Sequence, residues 1–299
     1  MHTIGIDIGG TQLRCAEFSE KHEIVSVMKI PNEIGISAEA NMDKLIAFIL
    51  ERKSKCIGIG IGCPGPLDFP AGKVLNPPNL YGWNNFEIVK YVEDKTGLTT
   101  VLNNDANVAG LAEALFGAGK GFQSVFYITI STGIGGSYIY RGELVNGAHS
   151  SAGEAYNLIV CEDDRHSANA NPGSINEMCG GKGLFRQTWE SYNRCVKTRE
   201  LYNELYLKQR DPKAVAIIER CIDNMAKAIG NIACIVDPDI FILGGSIALR
   251  SPGFLEMLTE KAKEYMIDPA YLHIEKARFG DDAGLIGASL LVSEKGTGG

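Results

Sequence analysis

Apolar and polar residues alternate from the start of the chain. Residues 3 to 8 run in this way into Gly9-Gly10, and Leu13 to Phe18 and Ile24 to Ile30 repeat the pattern around a polar turn at Ser19 to Glu23. A period of two belongs to a strand, so an antiparallel meander of three strands is predicted. The period then changes: Met42, Leu45, Ile46, Ile49 and Leu50 stand at i, i+3, i+4, i+7 and i+8, the apolar face of a helix. Ile57-Gly58-Ile59-Gly60-Ile61 reads as a strand whose glycines let something approach its backbone closely. Gly62 to Trp83, rich in Pro and Gly, is predicted as a loop long enough to suggest function. A short helix, Phe86 to Lys95, and an apolar strand, Leu98 to Leu102, complete a β-β-β-α-β-α-β unit.

The second half restarts the same grammar. A strand from Ser124 to Ile130 meets a glycine turn, a strand from Ser137 to Tyr140 follows, and Leu144-Val145 comes after a turn at Arg141-Gly142. A hairpin with glycines at its tip therefore occurs twice, more than 100 residues apart, as in a weak internal duplication and not a solenoid. Ala148 to Gly183 is polar and predicted irregular, with Asn169 to Gly173 especially loop-like. Helices are predicted at roughly 184–208 and 212–235, the second ended by Asp237-Pro238, and Asp239 to Leu243 is a short buried strand running into Gly244-Gly245. A helix from Phe254 to Met266, a strand near Leu272 to Lys276 and an apolar segment from Ala283 to Val292 finish the pattern, with a frayed Gly-Thr-Gly-Gly end.

Composition narrows the class. At 299 residues the chain can hold about two domains, and 45% hydrophobic with 22% charged residues is ordinary for a globular protein. A net charge of −7 argues against a nucleic-acid or anionic-membrane surface, whereas a small phosphorylated ligand can be held by backbone N–H groups without positive charge. The start, Met1-His2-Thr3-Ile4, lacks the features of a signal peptide and no apolar run is long enough to span a bilayer, so the expected location is the cytoplasm. Eight scattered cysteines, without a C-x-x-C pair, read as reduced core thiols.

The candidate chemistry centres on Asn103-Asn104-Asp105-Ala106-Asn107, where a strand becomes a helix carrying Val108, Leu111, Ala112, Leu115 and Phe116. Asp105 then lies at a helix N-terminus, where a carboxylate is often only a cap. Two glycine-rich turns, Asp7-Ile8-Gly9-Gly10-Thr11 and Ser131-Thr132-Gly133-Ile134-Gly135-Gly136, follow strands on either side of it, and Gly244-Gly245 is a third. Such turns can present N–H groups to phosphate or admit a nucleotide ring against bare backbone. No Walker A loop is present, since Gly117-Ala118-Gly119-Lys120-Gly121 has no Ser or Thr after its Lys, and Gly133 to Gly136 is followed by a strand and not the helix of a Rossmann fingerprint. Phosphoryl transfer needs a clamp on the phosphates and a carboxylate to accept the hydroxyl proton.

The ordered set Asp7-Ile-Gly-Gly-Thr11, Cys63-Pro-Gly-Pro66, Asn79-Leu80, Asn104-Asp105-Ala-Asn107, Ser131-Thr-Gly-Ile-Gly-Gly136, Ala152-Gly-Glu154, Asp237-Pro-Asp and Gly244-Gly245 resembles the ROK family of bacterial sugar kinases and sugar-responsive repressors, over nearly the whole chain. The resemblance implies an α/β fold of the actin-like ATPase (ribonuclease H-like) kind, two α/β domains around a cleft in which ATP and sugar meet. It implies a small N-terminal domain, 1–105, with the segment from about 284 to 299 packing back on it, and a large domain, 106–283. Carried over by position, Asp105 would be the general base on the sugar hydroxyl and Asn104 would hold a neighbouring hydroxyl, with Gly65, Asn79, Glu154, Asn157 and Glu177 completing the sugar site. Gly9, Gly10, Thr11, Gln12, Thr132, Gly133, Gly244 and Gly245 would line ATP, and Asp7 would stand near Mg2+.

The chain also departs from that pattern. Many members carry a His three residues after the Ala-Gly-Glu glutamate and then a C-x-C-G-x-x-G-C cluster that binds zinc; here Asn157 takes the His position and a polar stretch leading to Pro172-Gly173-Ser174-Ile175-Asn176-Glu177 replaces the cluster. Cys161, His166 and Cys179 lack the spacing of a four-ligand site, so no structural zinc is expected. Asn157 either leaves room for a substituent at C1 or C2 of a sugar or merely satisfies loop backbone. The expected activity is ATP-dependent phosphorylation of the 6-hydroxyl of a hexose, glucokinase-like, with N-acetylmannosamine or a β-glucoside as the alternative acceptor. A homodimer is expected. A repressor would carry a helix-turn-helix ahead of the first glycine turn, where six residues stand here, and a catalytically silent sugar-sensing protein would be expected to have lost the base.

Overall fold

The period-two stretches at the start of the chain form β1 (His2–Ile8), β2 (Gln12–Phe18) and β3 (Ile24–Pro31) in the computed structural model, which describes residues 1–164 and 170–292. After this antiparallel meander, α1 (Ala38–Leu50) starts at Ser37, whose side chain accepts the Ala40 N–H. The glycine-alternating strand β4 (Cys56–Cys63) returns parallel to β1. The long loop contains a small hairpin, β5 (Leu67–Asp68) with β6 (Lys73–Val74), and buries Leu80 and Trp83. α2 (Ile88–Thr96) stops at Gly97, whose φ of 71° is the left-handed cap that glycine adopts freely. β7 (Thr100–Asn104) lies parallel on the far side of β4 and turns directly into α3 (Asp105–Phe116). The sheet order is β3-β2-β1-β4-β7.

The second sheet repeats that topology. β8 (Ser124–Ile130), β9 (Ile134–Tyr140) and β10 (Glu143–Leu144) form the meander. After α4 (Ile175–Cys179), α5 (Gly181–Tyr192), the single turn α6 (Thr198–Glu200) and α7 (Pro212–Val236) comes β11 (Ile240–Gly244), parallel to β8. α8 (Gly245–Arg250), α9 (Phe254–Ala262) and β12 (Ile274–Lys276) follow, giving the order β10-β9-β8-β11-β12. α7 carries the core of this half, with Ile218, Cys221, Met225, Ile229 and Ile232 buried against strand residues such as Ile128 and Phe241.

Several boundaries differ from the sequence expectation. The predicted helix 184–208 is two pieces, because Asn193 takes the left-handed conformation (φ 51°) and ends α5; the chain resumes at α6 and passes into a π-helix, Leu201–Lys208. The polar stretch 148–183 is not wholly irregular, since it holds a 3₁₀ turn, Ala155–Asn157, and α4. The second hairpin turn is shorter than predicted, with Gly135 and Gly136 inside β9 and only residues 131–133 turning. His166, Asn169 and the C-terminal residues from 293 lie outside the described residues.

The apolar segment predicted from Ala283 forms α10 (Ala283–Leu290), which packs on β1 and β4. The alternating glycines find their reason here. A Cβ at Gly60 would stand 1.7 Å from the Ala288 carbonyl oxygen and one at Gly5 2.4 Å from that of Leu285. The chain divides into two compact units, Met1–Ala112 with the chain from Asp281, and Glu113–Gly280. Among the described residues no helix is long and apolar enough to cross a membrane.

Candidate active site

β1, β4 and β7 run parallel, so their carboxyl ends set Asp7 opposite Gly62 and Cys63 opposite Asn104 in one row. Ligand sites in open parallel sheets gather at such ends. Asp105 is the next residue. Its carboxylate caps the helix it begins, as the simpler reading expects: Asp105 Oδ1 and Asn104 Oδ1 both accept from the Ala106 N–H, at 2.8 and 2.9 Å. Asn103, which stands in the expected stretch without a role of its own there, fixes this junction, its Oδ1 accepting from the Asn104 N–H and from Asn107 Nδ2, each at 2.8 Å.

The cap does not use up Asp105. The residue keeps solvent-exposed surface, which a ligand can reach, while the protein packed around it withdraws water. That desolvation is the main cause of a pKa pushed up to about 6, the negative charge of Asp7 adds to it, and the N–H groups of Ala106 and Asp105 pull the other way. A carboxylate so placed is ionised at neutral pH and still basic enough to accept a hydroxyl proton.

The first glycine turn closes on itself. The Gly9 N–H donates to the Gln12 carbonyl at 2.9 Å, so it is spent within the turn and is no donor to a phosphate. Neither Gly9 nor Gly10 has a positive φ; Gly10 is needed because a Cβ there would stand 2.8 Å from the Asn79 carbonyl oxygen. Asn79 is thereby brought beside the turn, and Gly65 lies next to Asn104, whose Nδ2 is 3.5 Å from where a Cβ would be. Asn32 pins the turn from below, its N–H donating to the Thr11 carbonyl at 3.0 Å and its Nδ2 to the Gly9 carbonyl at 2.9 Å.

Asp7 is held by Arg14, its partner in the β1–β2 register. Arg14 Nε donates to Asp7 Oδ2 at 2.9 Å, Nη2 donates to the same oxygen, and Nη1 reaches Asp282 at 3.4 Å. Burial raises the Asp7 pKa, Arg14 opposes this, and Asp282 adds to it. Both Arg14 bonds fall on Oδ2, so Oδ1 is the atom that Asp7 would offer to a hydrated Mg2+, an ion that keeps several of its own waters and needs only one or two carboxylates. Among the described residues no group of three or more His, Cys, Asp or Glu side chains is placed to hold a metal.

In the second unit the turn at residues 131–133 is tied to α4 and α5. Ser131 and Thr132 carbonyls accept from the Gly181 and Lys182 N–H groups at 2.8 and 3.0 Å, and Asn176 Oδ1 accepts from the Ile134 N–H at 3.0 Å. Gly245, at φ 83°, packs so closely that a Cβ would stand 2.4 Å from the Ile130 carbonyl oxygen, and Ser131 Oγ lies 3.4 Å from Ser246 Oγ. Ile130 and Ser131, just before Thr132 and Gly133, are thereby brought against Gly245 and Ser246. Gly136 serves packing, because a Cβ would meet the Gly153 carbonyl oxygen at 2.5 Å; this contact sets the loop carrying Glu154 against β9.

Two residues expected at the sugar are engaged by protein. Glu177, 5% exposed, is ion-paired with Arg186, whose Nη1 donates to Oε2 at 2.6 Å. Asn157 Oδ1 accepts from the Asn171 N–H at 2.6 Å, the loop-satisfying alternative, which leaves Nδ2 as the atom to offer a ligand. Arg14 was legible in principle from the meander register opposite Asp7, whereas Asn32 carried no sequence signal beyond its place at the end of β3.

The ROK family model matches residues 3–295. An N-acetylmannosamine kinase of Escherichia coli O139:H28 is 30% identical over 97% of this chain and 98% of its own. Among solved structures, a ROK hexokinase from Thermus thermophilus superposes with a TM-score of 0.89 at 32% identity, covering 97% of each chain. A ROK family glucokinase from Streptomyces griseus, solved with glucose and AMPPNP, gives a TM-score of 0.77 at 26% identity, covering 97% of this chain and 99% of the other.

Proposed function

Since the chain belongs to the ROK family, we propose that it is an ATP-dependent sugar kinase that transfers the γ-phosphate to the 6-hydroxyl of a hexose, with glucose as acceptor and N-acetylmannosamine or a β-glucoside as the alternatives. The observation that carries this reading is Asp105, solvent-accessible at the end of a parallel strand, with its pKa pushed up to about 6.

Asp105 accepts the proton of the attacking hydroxyl, and Asn104, fixed by Asn103, orients a neighbouring hydroxyl. The N–H groups of Gly10 and Thr11 and the backbone around Thr132, Gly133, Gly244 and Gly245 offer donors to phosphate oxygens, which suits a chain of net charge −7. Mg2+, when bound with ATP near Asp7, neutralises charge on the phosphates. Phosphoryl transfer asks little covalent chemistry of the protein, so positioning and electrostatics carry the rate.

ADP release measured across glucose, mannose, fructose, N-acetylmannosamine, N-acetylglucosamine and a β-glucoside tests the proposal. At least one of them is expected to be phosphorylated with strict need for Asp105; a wild type inert on all of them removes it.

A further inference from the structure

A polar residue interrupts the apolar stripe of α1. Ala38, Met42, Leu45, Ile46 and Ile49 face the core of the first unit, and Asn41, 0% exposed, stands among them. A buried amide in such a stripe is costly unless its donor and its acceptor are both used. Here both go to one residue outside the helix: Asn41 Oδ1 accepts from the Glu33 N–H and Nδ2 donates to the Glu33 carbonyl, each at 3.1 Å. The side chain thus exchanges two bonds with one residue's backbone, as the opposite residue of a neighbouring strand would.

The residue it holds is joined to Asn32. The β2–β3 ladder ends with Gln12 opposite Pro31, and past that pair Asn32 takes over, donating to the Thr11 carbonyl from its N–H and to the Gly9 carbonyl from Nδ2. The next three residues, 33–35, are exposed, and Gly35 stands at φ 101° with open space around it. The Lys44–Glu33 ion pair nearby lies on the surface, where such a pair is worth little. The Glu33 N–H belongs to the planar peptide group that links Glu33 to Asn32, so Asn41 Oδ1 fixes the direction in which Asn32 leaves the turn.

We propose that Asn41 is a positioning residue for the phosphoryl donor, which through Glu33 and Asn32 holds the first glycine turn in the shape that meets phosphate. This rests on the kinase reading above. In a trans peptide the N–H points opposite to the carbonyl. With the Gly9 and Thr11 carbonyls held by Asn32, the N–H groups of Gly10 and Gln12 are turned away from it, and neither carbonyl can swing round to repel a phosphate.

The test uses the full chain with Asn41→Ala, Asn32→Asp and, as a control for loosened α1 packing, Ile49→Val. Asn41→Ala is expected to raise the KM for ATP and the calorimetric Kd for MgADP about 5- to 10-fold, the worth of one hydrogen bond, with kcat and the sugar KM within about twofold of wild type. Adding Asn41→Ala to Asn32→Asp is expected to raise the ATP KM no further, because the one acts through the other. Ile49→Val, in the same buried face, is expected to lower the melting temperature and move neither KM. If Asn41→Ala does not fold, amide exchange in wild type still decides: the Glu33 N–H, on an exposed residue between β3 and α1, is expected to exchange about 100-fold or more slowly than in an unstructured peptide. Exchange there at the unstructured rate overturns the proposal. So does an Asn41→Ala chain that phosphorylates sugar with both KM values unmoved or raised equally. A wild type whose MgADP binding depends on Asn41 but which phosphorylates no sugar supports the positioning role and removes the kinase reading instead.

Discussion

At neutral pH the Asp105 carboxyl is ionised although its surroundings favour the neutral form, so the residue acts against the stability of the fold it caps. The sign follows from linkage: a folded pKa near 6 above an unfolded value near 3.8 means that the native state binds the proton more tightly, and stability falls as pH rises through that window. Asp105→Asn, a neutral mimic of similar shape, is expected to raise the melting temperature at pH 7.5 and to lose that gain near pH 4, while lowering kcat by about 10² to 10⁴ as loss of a positioned base does. The acidic limb of the wild-type kcat/KM profile is expected near pH 6. A mutant with a third of wild-type kcat, or a limb near pH 4, removes the base assignment. Asn32 acts one step back. Asn32→Asp removes the donor to the Gly9 carbonyl, and the KM for ATP is expected to rise about 5- to 10-fold, the worth of one hydrogen bond, with the sugar KM unmoved. Equal rises in both KM values would mean a general disturbance of the fold. The strand-to-helix place of Asp105 was legible in the sequence because an apolar run abuts a helical period there. Asn32 was not, since its partners are backbone carbonyls 21 and 23 residues away that no periodicity encodes.

Elements were legible where one period persists and illegible where a single residue decides. The alternating glycines of β4 announced a close approach but not its partner, which comes from α10 more than 220 residues later. The break in the predicted helix 184–208 depends on Asn193 alone, and Gly135 and Gly136 look like a turn until the β8–β9 register places them in a strand. The β4–α10 contact gives an element-scale expectation. At Gly60 the added methyl would stand 1.7 Å from backbone, not from a flexible side chain, so α10 must move as a whole. Gly60→Ala is expected to cost about 1 to 3 kcal/mol or more in denaturant unfolding, as overpacking does. Gly97→Ala, at φ 71° with open space around the site, is the comparison: it strains only its own backbone and is expected to cost about 1 kcal/mol. A Gly60→Ala loss no larger than the Gly97→Ala loss would mean that α10 is loosely held.

At the scale of the whole chain the repeated hairpin proved to be a repeated sheet: a three-strand meander followed by two parallel strands, once in β3-β2-β1-β4-β7 and again in β10-β9-β8-β11-β12. The repeat was visible in the sequence because each meander ends on a glycine turn; the strand order was not, because parallel pairing is fixed by contacts far apart in sequence. The two units differ in how the chain closes them. The second is one continuous stretch with its own core, built from residues such as Phe126, Ile229 and Leu243, whereas the first needs the returning segment, where Leu285 packs with Ala16 and Phe18 and α10 covers β1 and β4. A chain ended after Gly280 therefore keeps every residue of the second core and leaves one face of the first sheet bare, Gly5 and Gly60 included. Exposed backbone and apolar surface on that face cannot be offset by the meander alone. Hydrogen exchange on the truncated chain is expected to show amides of β1 and β4 losing protection by orders of magnitude while those of β8 and β11 stay protected. Protection lost equally from both sheets would mean that the second unit does not stand on its own core, and protection kept in both would mean that α10 is dispensable to the first.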